Sequence, residues 1–229
     1  AYISQSKEDF ARIDEVFPDR SSFSGLPPNW GAGKAGICPP MAWHLWNEGG
    51  NPDFPQQVLE TTQSSMQRAL EKIEADDSDP ETRECYHFQA LNPVVPEALV
   101  QLTLGTPAAL YNGGLLQSHL LYFDAEQRRP GLPDGVAARV EHVSADHAET
   151  VLVNTDDLHP RQLLVQAGAF GEHTFTGGVV VDPDGTSTPI QIDTGPHVTV
   201  DLGPGAQIRL RLEMKRFVHR PSYDGPWRQ

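Results

Sequence analysis

Gln207-Ile208-Arg209-Leu210-Arg211-Leu212-Glu213-Met214-Lys215 alternates apolar and polar side chains without a break. A period of two puts Ile208, Leu210, Leu212 and Met214 on one face. Arg209, Arg211, Glu213 and Lys215 fall on the other, which predicts a strand from Ala206 to Met214 with one buried and one wet side. Gly203-Pro204-Gly205 supplies the turn before it, and Asp182-Pro183-Asp184-Gly185 an earlier one.

Working back from this strand, the same period recurs. His197–Leu202, His173–Val181, Gln162–Gln166, Thr150–Asn154 and Ala138–Val143 all read as short strands bounded by Gly, Pro and Asp. Short strands at this spacing, with no helix between them, predict an antiparallel, immunoglobulin-like β-sandwich. The turn-like Pro130-Gly131-Leu132-Pro133-Asp134-Gly135 sets the expected boundary: residues 1–134 helical and irregular, residues 135–229 the sandwich. The fold class expected is therefore α+β. Leu115 to Phe123 is too apolar for a linker and reads as a buried strand at the junction, with Asp124 to Arg129 as an exposed hinge.

Ahead of the junction the period lengthens. Ser6 to Phe17 reads as a short helix capped by Ser6, with Phe10, Ile13 and Phe17 on one face and Pro18 as its stop. Gln56 to Ala75 carries Leu59, Met66, Ala69, Leu70 and Ile73 as an apolar stripe, a stronger helix signal. Pro93 to Leu104 reads as a third helix, with Asn92 as N-cap and Gly105 as the stop. Between the first two helices, Pro18 to Pro55 shows no period. Three of the chain's four tryptophans, Trp30, Trp43 and Trp46, lie there, so the segment is expected to pack against this chain's own helices or against another domain or chain.

Composition narrows the function. Among 229 residues, 17 are basic and 31 acidic, giving a net charge of −14. A field of that sign repels phosphate backbones and anionic lipid surfaces, so neither nucleic acid nor a membrane is an expected partner. No apolar run approaches the ~20 residues of a spanning helix. Cys38 and Cys85 allow one bridge or two free thiols and are too few for a disulfide framework. Ala1-Tyr2-Ile3-Ser4 reads as a trimmed or internal start, as expected of a piece of a longer protein.

Trp43-His44-Leu45-Trp46-Asn47-Glu48 is the run with most chemistry in it. An Asn-Glu pair after an apolar strand resembles the acid/base end of a barrel strand in retaining glycosidases. There, one carboxylic acid protonates the glycosidic oxygen while a second carboxylate, ~5 Å away, attacks. Glu48 would be the acid and Glu97 or Glu84 its partner. The other reading of Glu48 is an ordinary turn carboxylate. Trp43 and Trp46 could stack on sugar rings, with His44 and Asn47 beside them, or could anchor the long segment in a core.

Other combinations fall short of a site. Glu84, Cys85 and His87 with Cys38 and His44 lack the paired Cys-x-x-Cys of zinc centres, so no metal is expected. No cofactor is expected either. Gly31 to Gly36 lacks the spacing and hydroxyl of a phosphate loop, and no Gly-x-Ser-x-Gly elbow supports a nucleophilic serine.

Thr150-Val-Leu-Val-Asn154, Arg161 to His173 and Val198 to Leu210 resemble the C-terminal β-sandwich region of large bacterial carbohydrate-active, glycoside hydrolase-like enzymes, over residues 136–217. The resemblance implies an architecture and a carbohydrate context, and carries over no catalytic residue. Three readings follow: the C-terminal part or a subunit of a carbohydrate-processing protein, partnered by another chain or domain of it; a self-sufficient glycoside hydrolase using Glu48; or a structural module with no ligand.

Overall fold

Residues 6–12, 15, 40–84, 86–87, 91–94, 96–106 and 118–227 are described by a computed structural model. Trp30, Cys38, Cys85 and the glycines from Gly31 to Gly36 lie outside them. The elements in chain order are α1 (Lys7–Ala11), α2 (Pro40–Asn47), α3 (Phe54–Glu74), a 3₁₀ turn at Pro80–Thr82 and α4 (Glu97–Leu104). Nine strands follow among the described residues: β1 (Leu120–Asp124), β2 (Arg129–Pro130), β3 (Val136–Val143), β4 (His147–Asn154), β5 (Arg161–Ala167), β6 (Thr174–Val181), β7 (Ser187–Pro189), β8 (His197–Leu202) and β9 (Gln207–Lys215).

The strands form two antiparallel sheets, ordered β2-β1-β5-β8 and β3-β4-β9-β6-β7. With the helices ahead of them, this is the expected α+β sandwich. The alternation along β9 is realised as read: Leu210, Leu212 and Met214 are buried, while Arg209, Arg211, Glu213 and Lys215 are exposed. Leu120, Tyr122, Leu163, Val165 and Leu202 from the smaller sheet meet Ala148, Leu152, Phe175, Leu210 and Leu212 from the larger in one core. Tyr122 crosses that core, and its hydroxyl lies 3.2 Å from Thr150 Oγ1 on β4. Burial drives the phenol pKa well above its usual value.

The sheets begin earlier than the boundary read from the sequence. Leu120 to Asp124 pairs with β5 in register Leu120↔Ala167 to Asp124↔Leu163, so it is the first strand of the sandwich. Ala125 to Arg128, expected as a hinge, is the turn of the β1–β2 hairpin, where Asp124 Oδ1 accepts from the amides of Glu126 and Gln127.

The helices also differ in detail. Ser6 caps α1 as expected, accepting from Asp9 N at 3.0 Å. Pro40 to Asn47 was read as part of an aperiodic segment and is helical; its eight residues span little more than two turns, and its polar His44 and Asn47 are buried along with Ala42 and Trp43, so no wet face marks a period. Along α3, Phe54, Val58, Thr62, Ser65 and Ala69 are buried. The stripe of Leu59, Met66, Leu70 and Ile73 stays 41–44% exposed. Small Thr, Ser and Ala side chains favour the inward face where α3 meets α2 and α4. Asn92 does not cap α4; its Oδ1 accepts from Val94 N, and the helix starts after Pro96. Gly105 does end α4, in the left-handed conformation, and a Cβ there would come within 3.0 Å of Val140 and Val143 on β3. Only glycine lets the helix end lie so close to the sheet.

Asn47, the last residue of α2, joins the helices to the edge strand β3. Its Nδ2 donates to Val143 O at 3.0 Å, and its Oδ1 accepts from Val143 N at 2.6 Å. His142 Nδ1 lies 2.7 Å from the Asn47 carbonyl. Replacing Asn47 by Ala strands a buried donor and a buried acceptor, and is expected to cost roughly 2–4 kcal/mol. Urea unfolding of Asn47→Ala measures it. A loss below about 1 kcal/mol would mean that water substitutes for the amide.

Candidate functional site

Side chains that alternate inward on β1 and β5 fill the core, and those that alternate outward face the C-terminal tail. Leu121 and Phe123 on β1 and Gln166 on β5 belong to this outer face. The tail reaches it because β9 ends in a reversal. Phe217 takes a left-handed backbone, φ 54°, and its amide donates to His173 Nδ1 at 3.0 Å. The two rings meet edge-on at 4.8 Å. Val218 N and His219 N then donate to Glu172 O, and Ser222 N to Phe170 O.

The corner that receives the tail depends on glycine. Gly168 has φ +87°, and a Cβ there would sit 2.5 Å from the Glu172 carboxylate. That buried carboxylate accepts from Phe170 N at 2.8 Å. The result is a cleft of about 550 Å³ between sheet and tail, lined by Phe123, Phe170, Tyr223 and Trp227 with Arg128, Gln166, Ser222 and Asp224. Trp227 meets Phe123 edge-on at 5.7 Å, and Tyr223 meets Phe170 edge-on at 5.2 Å. Tyr223 is 93% exposed, so one aromatic face is open to solvent. Gln166 is held in place, its Nε2 donating to Gly168 O and its Oε1 lying 2.9 Å from His197 Nε2.

The residues singled out from the sequence lie elsewhere. Trp43 is 1% exposed and offers no face to a sugar. His44 and Asn47 are buried, and the Asn47 amide is committed to Val143. Trp46 is half-buried and stacks on Phe54 at 5.8 Å, beside a cleft of about 300 Å³ that also includes Arg139 and Glu141. Glu141 there is paired with both Arg139 and Arg209. Glu48 follows helix α2, not a strand; it is exposed, and its Oε1 accepts from Asn47 Nδ2 at 3.1 Å. Glu84 is exposed after the 3₁₀ turn. Glu97 opens α4, and its side chain lies outside the described set. Neither Glu48 nor Glu84 lines the Trp46 cleft or the aromatic one.

Two groups among the described residues bring serine, histidine and aspartate together. Ser144 Oγ and Asp146 Oδ1 lie 2.7 and 3.0 Å from His147 Nδ1. Ser78 Oγ and Asp76 Oδ2 lie 3.5 and 2.8 Å from His87 Nε2. In both, hydroxyl and carboxylate meet the same ring nitrogen, whereas a proton relay needs one on each. These groups lock turns. Arg216 reinforces the first, donating to the carbonyls of Ser144 and Ala145; burial lowers its pKa to about 10, leaving it charged at neutral pH. Among the described residues, no three His, Cys, Asp or Glu side chains gather to hold a metal. No helix among them is long and apolar enough to cross a membrane.

A family model described as a domain of unknown function, DUF8034, matches residues 2–100. That span holds α1 to α3 and the start of α4, and ends before the sandwich and the aromatic cleft. Searches of curated proteins and of solved structures return no match.

The tail's anchor titrates. Burial first, then the Arg216 charge, lowers the His173 pKa to about 3. In the unfolded chain an imidazole titrates near 6.5. Between those values the unfolded state binds a proton that the folded state refuses, so this contribution is complete above about pH 6.5 and shrinks as pH falls toward 3. Unfolding free energy is therefore expected to be lower at about pH 5 than at about pH 7.5. His173→Asn, which keeps an acceptor for Phe217 N, should flatten that difference. An unchanged pH slope in the variant would overturn this account of the anchor.

Proposed function

We propose that this chain is the C-terminal part, or a subunit, of a carbohydrate-processing protein, and that the cleft between the four-stranded sheet and the tail binds saccharide. The observation that carries the reading is the aromatic lining of the cleft, with Tyr223 almost fully open. Tyrosine and tryptophan rings stack on the apolar faces of pyranose rings, and their edges and polar tips remain wettable. Ser222 and Asp224 offer a donor and acceptors for hydroxyls around that platform. The cleft volume, about 550 Å³, lies within the range of small-ligand sites.

Binding of a panel of oligosaccharides, followed by calorimetry or affinity electrophoresis, tests this reading. Tyr223→Ala and Trp227→Ala are each expected to weaken binding by about tenfold, the effect of losing one aromatic contact. Trp43→Phe is expected to lower stability without changing affinity. A protein that binds no member of a broad glycan array would remove the proposal.

The exposed stripe of Leu59, Met66, Leu70 and Ile73 supports the subunit half of the reading, because contiguous apolar surface marks contact with a partner. Leu99 on α4 and Leu59 line a neighbouring cleft of about 460 Å³. The partner in this reading is another chain or domain of the same protein. Light scattering on the isolated chain is expected to show self-association, relieved by Met66→Glu. A monodisperse monomer that binds no apolar dye would count against a partner here.

A further inference from the structure

We infer that the saccharide taken by the aromatic cleft carries a carboxylate, as hexuronates do, and that Arg128 is the residue that selects it. The inference rests on the reading of the cleft as a saccharide site. Arg128 closes the turn between β1 and β2 with a backbone φ of 53°. Glycine or asparagine occupies that left-handed position without difficulty, while a long L side chain is strained there. Strain retained at one residue beside a cleft points to a use for that residue.

What the side chain touches adds a second, independent argument. Its sequence neighbour Arg129 is fully engaged, with Gln127, Asp124 and Asp134. Arg128 makes no hydrogen bond and no ion pair with any described residue, although it lines the cleft. The other charge on the rim, Asp224, accepts from Ser222 Oγ through Oδ2 instead. The guanidinium therefore keeps its flat fork of donors for whatever enters. That fork matches a planar carboxylate through two parallel hydrogen bonds, a fit that lysine's single ammonium does not reproduce. With Tyr223 and Trp227 supplying faces for the ring and Arg128 a partner for an acid on its edge, the cleft suits a uronic-acid unit better than a neutral one. The chain's charge of −14 repels such a ligand at long range, so the local contact has to outweigh that field. Discrimination must then come from this local contact.

The test compares oligogalacturonate with neutral oligosaccharides of equal length on wild type, Arg128→Gly and Arg128→Lys. Wild type is expected to prefer the uronate by about tenfold or more. Arg128→Gly should lose the preference and keep its affinity for neutral sugar. Its melting temperature should be unchanged or raised, because glycine relieves the left-handed turn. Arg128→Lys should retain only part of the preference. Equal binding of uronate by wild type and Arg128→Gly would overturn the inference while leaving the cleft a saccharide site. So would a wild type that takes neutral sugars as tightly as acidic ones. Failure of wild type to bind either class would remove the saccharide reading and this inference with it.

Discussion

A strand at the edge of a sheet carries backbone donors and acceptors with no partner, and the way β3 meets this constraint determines how the two parts of the chain are joined. The Asn47 amide supplies both complementary groups to Val143, so one side chain stands in for a residue of an added strand. That bond pair fixes where α2 ends. The close approach at Gly105 fixes where α4 ends, against the same strand. Between those two points, Ala42, Trp43, Phe54, Val58, Ala98 and Leu102 run without interruption into the apolar interior between the sheets. Among the described residues the helices have no separate core, and the sandwich would have an open edge without them.

The sheets were the most legible part of the sequence, and the reason is physical. A sheet with one wet face writes its burial directly as alternation, as in β9. Elements that lack a wet face, or are too short to show a period, were not legible. α2 buries its polar His44 and Asn47 along with its apolar residues, so its eight residues look like an aperiodic stretch. β2 and β7, of two and three residues, are defined by pairing alone. α3 was recognised as a helix, but its more apolar stripe is the exposed one. Sequence pattern ranks faces by hydrophobicity, whereas packing also rewards the face whose small side chains permit close approach.

The candidate site was less legible. The cleft draws on three segments remote in sequence, around Phe123 to Pro130, Gln166 to Phe170 and Ser222 to Trp227. Alternation places Phe123 and Gln166 outward, yet nothing local says that the tail folds back over them. That reversal comes from Phe217 and His173, which meet only once the sandwich is assembled. The clustered tryptophans drew attention because aromatic density is visible in a sequence. Trp43 serves the core and Tyr223 the surface, a distinction that burial alone makes. A tyrosine and a tryptophan in a tail otherwise rich in Pro, Gly and charge were the available sign of a surface aromatic site.

The shortness of β2 and β7 has a consequence for assembly. Each lies at one end of its sheet, and each contains a proline, Pro130 or Pro189, that cannot donate to a further strand. Each sheet thus has one terminus that does not accept a neighbour. Indefinite growth of a sheet by adding copies needs two receptive termini on every unit, just as a linear polymer needs difunctional monomers. The four-stranded sheet is thus monofunctional, and in the five-stranded sheet the helices already cover the other end at β3, so edge-to-edge growth stops at a pair at most.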